Sequence, residues 1–288
     1  ANVQPGTRDT LDHVSRLAGY DFTPHLPALW FDDAPDALAR RRDYWRALRR
    51  RLGETFYAPL SAWCAAHRVA LMGHPGAPDE IELQRHFHVP GQDLVWRDVV
   101  PGEPALEGPQ STQAKAASSA MMHLGRRRNS NEFCGAYGHE LTFAEMRWLA
   151  HWCFARGTNY LIPHAFYYSL RGHRRDERPP DVGPGSAWWD RFRPFADACA
   201  RLSWLNTDST HRCHVAILCD TDRAGWAAAR ACFESQHDFN YLDTATLIES
   251  CAVRPDRITI RDMRYRALVV EDEALLTPPV MEALAALD

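Results

Sequence analysis

RRRNSNEFCGAYGHELTFAEMRWLAHWCFARGTNYLIPHAFYYS, residues 126–169, is the stretch that decides the fold. It opens with a short polar segment that reaches Glu132, continues as a helix pattern, and ends in an apolar run that leads into a histidine and three aromatic residues. Thr142 and Glu145 have the spacing of a capping box, and Gly157 closes the helix. A strand, a helix and a second strand in this order predict a parallel pair joined by a helical crossover.

The segments before this stretch extend the same alternation. A long amphipathic helix with a break at Pro59 precedes an apolar strand over residues 69–72, and a second strand candidate, HFHVPGQDLVW, follows at 86–96. The small-residue segment STQAKAASSAMMHLG predicts a helix that Ser111 or Thr112 caps and Gly125 ends. From residue 40 to 169 the order is helix, strand, loop, strand, helix, strand, helix, strand, which favours a parallel sheet.

The composition changes near residue 210, after a helix over WWDRFRPFADACARLSWL. Shorter βα units follow, with strands predicted at HVAILCD, NYLD and YRALVVED and helices at 223–236, TATLIES and 279–287. We therefore predict two domains, a larger one over residues 1–209 and a smaller doubly wound α/β domain over 210–288. The chain starts with ANVQPG, without Met, and stops in the first turns of a helix, which predicts a fragment of a longer protein.

Composition excludes several classes of protein. The 33 basic and 37 acidic residues nearly cancel, so no overall field favours nucleic acid. The eight cysteines contain no C-x-x-C pair, which indicates a reducing compartment and predicts a cytoplasmic location. No apolar stretch approaches the ~20 residues that span a bilayer, and no signal peptide opens the chain.

Polar side chains stand at the ends of four successive predicted strands. They are His74, Asp93, Glu132 and the group His164, Tyr167 and Tyr168. In a parallel barrel the loops after the strands meet at one mouth, so these residues predict a shared pocket. Helix caps, turns and ordinary surface polarity are the alternative explanation.

The same segments resemble a known family. GHP after a strand, GQDL, KAASSAMMHLG, NEFCGAYG, the stretch 142–169 and ERPPDVG with a later WW are similar to the second half of a (β/α)8 glycoside hydrolase, related to family-42-type β-galactosidases and α-L-rhamnosidases. The part after residue 210 resembles the glutamine-amidotransferase-like, flavodoxin-like domain that follows such barrels. The resemblance implies the C-terminal half of a TIM barrel, strands five to eight, plus a partial flavodoxin-like domain.

The resemblance also implies the chemistry. Glu132 would end the seventh strand and act as nucleophile or general base of a glycosidase, while the acid partner would lie upstream of this fragment, which could then be inactive alone. Asp79, Glu80 and Glu82 are the substitutes within the chain. The residues expected to bind the sugar are His74, Gln92, Asp93, Asn131, His164, Tyr167 and Tyr168. A non-catalytic sugar-binding or assembly protein is the alternative function.

We expect no cofactor and no metal. His86 and His88, or His211 and His214 beside a cysteine, lack a third spaced ligand, and no nucleotide-binding glycine motif follows a strand. Cys219 lacks the flanking glycines of a nucleophile elbow, so amidotransferase activity is not expected. The expected partners are a carbohydrate substrate and the missing barrel half or another chain, with a homo-oligomer possible and neither nucleic acid nor membrane among them.

Overall fold

A computed structural model describes residues 6–221 and 223–287 of the chain. The chain divides into two compact units, Ala1–Val69 and Ala70–Asp288. The residues at the two ends that suggested a fragment, 1–5 and 288, lie outside the described part.

The first unit is helical. Its α-helices are α1 (Thr10–Ala18), α2 (Ala37–Leu52) and α3 (Ala58–Ala66). Val14, Phe22 and Tyr44 are buried together where α1 and α2 pack. The break expected at Pro59 is a π-helical turn, Gly53–Tyr57, and Pro59 is the second residue of α3, which follows that turn directly.

The second unit contains, among its described residues, a sheet of four parallel strands. They are β1 (Met72–Gly73), β2 (Val89–Val95), β3 (Ser130–Gly135) and β4 (Tyr160–Pro163), and they lie side by side in chain order. The helices between and after them are α4 (Lys115–Leu124), α5 (Phe143–Ala155) and α6 (Phe192–Leu205). The predicted α/β class with a parallel sheet is therefore confirmed.

The two faces of this sheet differ in character because side chains alternate along a strand. Leu94 and Phe133 are buried with apolar residues of α5 and α6, among them Leu149 and Cys153. This apolar contact holds the helices against one face of the sheet. The side chains one position earlier, Asp93 on β2 and Glu132 on β3, project from the opposite face.

Gly91 on β2 is required by close packing of the strands. A Cβ atom there would lie 2.6 Å from the carbonyl oxygen of Gly73 and 2.4 Å from Oγ of Ser130. The strand can thus approach both neighbours only because this residue has no side chain.

The helix ends follow the sequence in part. The Thr142 and Glu145 capping box is present at α5, and Gly125 ends α4 in the left-handed conformation with φ 64°. The prediction that Ser111 or Thr112 caps α4 is wrong. Both lie in a 3-10 turn, and their hydroxyls donate to carbonyl oxygens at the start of that turn. The helix α4 begins only at Lys115.

A second parallel sheet follows residue 210. Its strands are β5 (Val215–Cys219), β6 (Phe239–Asp243) and β10 (Ala267–Val270), in the order β10-β5-β6. Its helices are α7 (Ala227–Glu234), α8 (Thr244–Ser250) and α9 (Pro278–Leu284). An antiparallel sheet that the sequence analysis did not predict lies between α8 and β10, formed by β7 (Ala252–Arg254), β8 (Arg257–Ile260) and β9 (Met263–Tyr265).

The boundary expected between residues 209 and 210 stays a prediction. The second sheet does begin after it, yet polar contacts join the two parts within one unit. Nζ of Lys115 on α4 lies 2.5 Å from Oδ1 of Asp238, just before β6. Over the part of the chain that the structure describes, no helix combines the length and the apolar character needed to cross a bilayer.

Candidate functional site

Four polar side chains gather at the carboxyl ends of the four-stranded sheet. His74 directly follows β1, and His164 directly follows β4. Asp93 on β2 and Glu132 on β3 are register partners in neighbouring parallel strands, so their side chains leave the same face of the sheet. This face is opposite to the one that packs against the helices.

Glu132 lies between two imidazole rings. Its Oε2 is 3.9 Å from Nε2 of His74, and its Oε1 is 3.9 Å from Nε2 of His164. The same Nε2 of His74 is 3.8 Å from Oδ2 of Asp93. These distances are longer than direct hydrogen bonds, so the groups surround a small polar space rather than closing on one another.

Backbone hydrogen bonds fix the imidazole of His74 and the start of the loop that carries His164. Nδ1 of His74 donates to the carbonyl oxygen of Pro75 at 3.0 Å, so Nε2 is the atom that faces the carboxyl groups. The amide of His164 donates to the carbonyl oxygen of Phe133 at 3.0 Å, which ties the start of this loop to β3. Within the described residues, Nδ1 of His164 is buried and has no hydrogen-bond partner.

Asp93 has an unusual environment for a carboxyl group. Burial and then the charge of Glu132 raise its pKa to about 6, against the opposing charges of His74, His164 and Arg178. Its Oδ1 is buried without a hydrogen-bond partner in the described part of the chain. The group therefore keeps its proton to a pH about two units above that of an ordinary aspartate.

Gln92 and Asn131 do not join the cluster, although the sequence placed both in the sugar site. They precede Asp93 and Glu132 on their strands and pair with each other in register. Their side chains therefore project from the face that packs against the helices. The amide of Gln92 donates to the carbonyl oxygen of Pro78 and accepts from the backbone of Ala117. The amide of Gln92 therefore lies on the face of the sheet opposite to the carboxyl group of Asp93.

The two tyrosines after β4 are placed differently from each other. The ring of Tyr167 stands edge-on to His164 with centroids 6.1 Å apart, and its hydroxyl donates to the carbonyl oxygen of Arg178 at 2.6 Å. Tyr168 is 97% exposed and is not in contact with the cluster. Only Tyr167 is positioned to shape the site.

The acidic run that could replace the acid partner is bonded through its backbone to the loop after β5. Asp79 and Glu80 are buried. The backbone carbonyl of Asp79 accepts from Ala224, and the amide of Glu82 donates to the carbonyl oxygen of Thr221. These bonds hold the backbone of the run against the loop after β5.

Two residues near the cluster were missed by the sequence analysis. The guanidinium of Arg178 stands 5.6 Å above the ring of Trp96, and Trp96 remains 61% exposed directly after β2. The position of Trp96 at a strand end was a usable signal. Arg178 belongs to the ERPPDVG segment of the resemblance, but nothing in the sequence indicated that this long loop returns to the end of β2.

A cavity of about 470 Å³ lies on the other face of the sheet. Phe133, Leu161, Phe195 and Trp204 are among the side chains that line it, between β3, β4 and α6. Phe133 and Leu161 are the neighbours of Glu132 and Ile162 in their strands and point away from the cluster. We therefore place the chemistry at the strand ends and not in this cavity.

One atom each from His74, Asp93 and Glu132 lies within 4.8 Å of the other two. Mixed oxygen and nitrogen atoms at this spacing suit either a cation or a shared proton. Acidic groups that are this exposed commonly hold no ion, and we assign none here.

The fold and site together define an α/β protein with a carboxylate and histidine cluster at the ends of parallel strands. The chain is similar to the solved structure of a rhamnosidase from Novosphingobium sp. PP1Y, with a TM-score of 0.70 and 17% sequence identity. The match covers 98% of this chain and 28% of that protein, so the chain spans just over a quarter of its length. This likeness concerns the fold. No protein-family model matches the chain, and no curated protein matches it.

Proposed function

We propose that the chain is part of a glycoside hydrolase in which Glu132 is the nucleophile or general base. Glycoside cleavage needs an ionised carboxylate beside the anomeric carbon. The observation that carries the proposal is the position of Glu132, at a parallel strand end between Nε2 of His74 and Nε2 of His164. Two imidazoles can orient the carboxylate and bind sugar hydroxyls.

The architecture supports the same class. Four parallel strands in chain order are what half of a (β/α)8 barrel contains, and barrel enzymes hold their sites at the strand carboxyl ends. The order β10-β5-β6 corresponds to the first three strands of a flavodoxin-like sheet, 2-1-3 read from the other edge. The likeness to a structure named as a rhamnosidase agrees with an O-glycosyl substrate.

Substitution of Glu132 tests the proposal. We expect Glu132→Gln to lower the turnover of aryl α-L-rhamnosides or β-D-galactosides at least 1000-fold, since an amide neither attacks nor takes a proton. Azide added to Glu132→Ala should restore part of the rate and yield a glycosyl azide. Glu282→Gln, the same change at an exposed position on α9, is the matched control. Turnover unchanged by Glu132→Gln would exclude the proposal.

The alternative is a sugar-binding protein without hydrolysis. The exposed ring of Trp96 beside Arg178 favours it, because an open aromatic face suits a pyranose ring. Sugar binding followed by NMR, with no product at any pH in this chain or in a longer polypeptide that contains it, would select this alternative.

A further inference from the structure

Asp93 and Glu132 form a carboxyl pair within this chain. They are register partners on adjacent parallel strands, and one oxygen of each lies within 4.8 Å of the other. A single imidazole nitrogen, Nε2 of His74, faces both groups at 3.8 and 3.9 Å. Because Nδ1 of His74 is already bonded to a carbonyl oxygen, this ring offers the two carboxyl groups at most one proton.

The two members of the pair are not equivalent. The side chain of Asp93 is 24% exposed and that of Glu132 is 33% exposed. Oδ1 of Asp93 is buried and meets no donor among the described residues, whereas each oxygen of Glu132 faces an imidazole nitrogen. A buried carboxylate oxygen without a donor costs more free energy than a neutral, protonated carboxyl group at the same place.

The charges that face Asp93 come from each neighbouring strand end. Glu132 on β3 opposes its ionisation, while His74 after β1, His164 after β4 and Arg178 in the loop beyond favour it. Burial is the largest influence and acts in the same direction as Glu132. The balance favours the protonated form of Asp93 up to a pH of about 6.

We propose that Asp93 is the acid of this site and donates its proton to the leaving oxygen while Glu132 acts as the ionised partner. This inference rests on the proposed hydrolase function. As the glycosidic C–O bond breaks, the proton of Asp93 passes to the departing alkoxide and Glu132 bonds to the anomeric carbon. Water then attacks that carbon, its proton returns to Asp93 and the ester to Glu132 breaks. The acid need not come from another segment.

The two displacements of this proposal add a stereochemical expectation. Retaining glycosidases keep their carboxyl groups about 5 Å apart, and inverting enzymes keep them roughly 6.5–9.5 Å apart. Two displacements at the anomeric carbon, by Glu132 and then by water, belong to the first class. We therefore expect the first sugar product to keep its anomeric configuration, which proton NMR of the fresh product determines.

Leaving-group dependence tests the acid role. A dinitrophenyl leaving group departs without protonation, whereas a methylumbelliferyl group needs more help. We expect Asp93→Asn to lower kcat/KM about 100-fold or more on methylumbelliferyl glycosides but less than tenfold on dinitrophenyl glycosides of the same sugar. Glu132→Gln should fail on both. Asp98→Asn, the same change five residues along, is the control and should match the wild type.

The outcomes separate the two proposals. Equal effects of Asp93→Asn on both substrates, or no effect, with Glu132→Gln inactive would overturn the acid role and leave the hydrolase. An active Glu132→Gln would remove the hydrolase itself. A readout without turnover completes the test: carboxyl 13C NMR should show Asp93 titrating near pH 6 and at lower pH in Glu132→Gln. Titration of wild-type Asp93 near pH 4 would overturn the assignment whatever the activity.

Discussion

Lys115 and Asp238 join the two parallel sheets of the second unit through a contact of 2.5 Å between Nζ and Oδ1. Lys115 is 2% exposed, while the Asp238 side chain is 45% exposed and also accepts from His211. Burial alone would raise the pKa of Asp238, but the His211 hydrogen bond and the Lys115 charge lower it well below its usual range. The pair therefore stabilises the fold above pH 4 and loses this contribution as the pH falls further.

Removing one partner of this pair should cost more than removing both. Asp238→Asn leaves a buried ammonium group without its carboxylate, and we expect a loss of about 2 kcal/mol in the free energy of unfolding, reduced by solvent screening at Asp238. The double variant Lys115→Met with Asp238→Asn should recover most of it. Denaturant unfolding measures this cycle, and simple additivity of the single changes would contradict it.

His123 should make the stability depend on pH. Burial lowers its pKa from 6.5 to about 4, and Tyr265 donates to its Nε2 at 2.6 Å while accepting from Asn240. The unfolded chain therefore binds a proton that the folded chain excludes between pH 6.5 and 4, so stability falls as the pH falls through this window. We expect His123 to contribute a loss of about 2 kcal/mol from pH 7 to pH 5, which the raised pKa of Asp93 partly offsets because the folded chain binds that proton more tightly.

Matched histidine variants check this pH effect. His123→Gln should remove this contribution in urea titrations, since glutamine does not titrate, so the variant should lose about 2 kcal/mol less than the wild type between pH 7 and pH 5. His237→Gln at an exposed position should retain it. An unchanged slope in His123→Gln would show that another group is responsible.

Gly91 should tolerate no side chain. In Gly91→Ala the new methyl group meets the carbonyl oxygen of Gly73, which belongs to a paired strand and cannot move freely. We expect a loss of about 2–3 kcal/mol in unfolding free energy and a displaced Asp93 two residues on. Gly76→Ala is the control, because nothing lies within 4 Å of its added Cβ atom. Equal stabilities of the two variants would contradict the close approach of β1 and β2.

His74 should shift the upper pH limit of activity through its effect on the pKa of Asp93. Its charge opposes the raised pKa of Asp93, so His74→Ala should raise that pKa above about 6. If protonated Asp93 is the acid, the alkaline limb of the pH profile moves to higher pH in this variant, while the rate at the optimum falls because Glu132 loses an orienting contact. His151→Ala, at an exposed position on α5, should leave the profile in place. A limb that moves to lower pH would contradict the charge effect.

The sequence predicted the strand ends better than the side-chain directions. Glu132, Asp93 and the two histidines meet because parallel strands in chain order bring their carboxyl ends to one edge. Gln92 and Asn131 were included with them by proximity in sequence. Strict alternation along a strand sends neighbours to opposite faces, so the sequence itself contained the signal that excludes them.

Other differences arise from contacts that a sequence pattern does not record. The helix α4 begins at Lys115 rather than near Ser111 because the hydroxyl of Ser111 bonds within its own 3-10 turn. The antiparallel strands β7 to β9 have three or four residues each, too few for a clear alternation of apolar and polar residues. The raised pKa of Asp93 depends on four residues distant in sequence, and only the assembled site brings them together.

The buried cysteines give the chain an internal reporter of its own motion. All eight thiols are free, and burial raises the pKa of Cys134 and Cys153, which pack in the layer between the four-stranded sheet and its helices. A thiol that is both shielded and protonated reacts with alkylating reagents only when the structure opens around it. The rate at which Cys134 is modified in the native protein therefore measures how often the strand that carries Glu132 separates from its supporting helices.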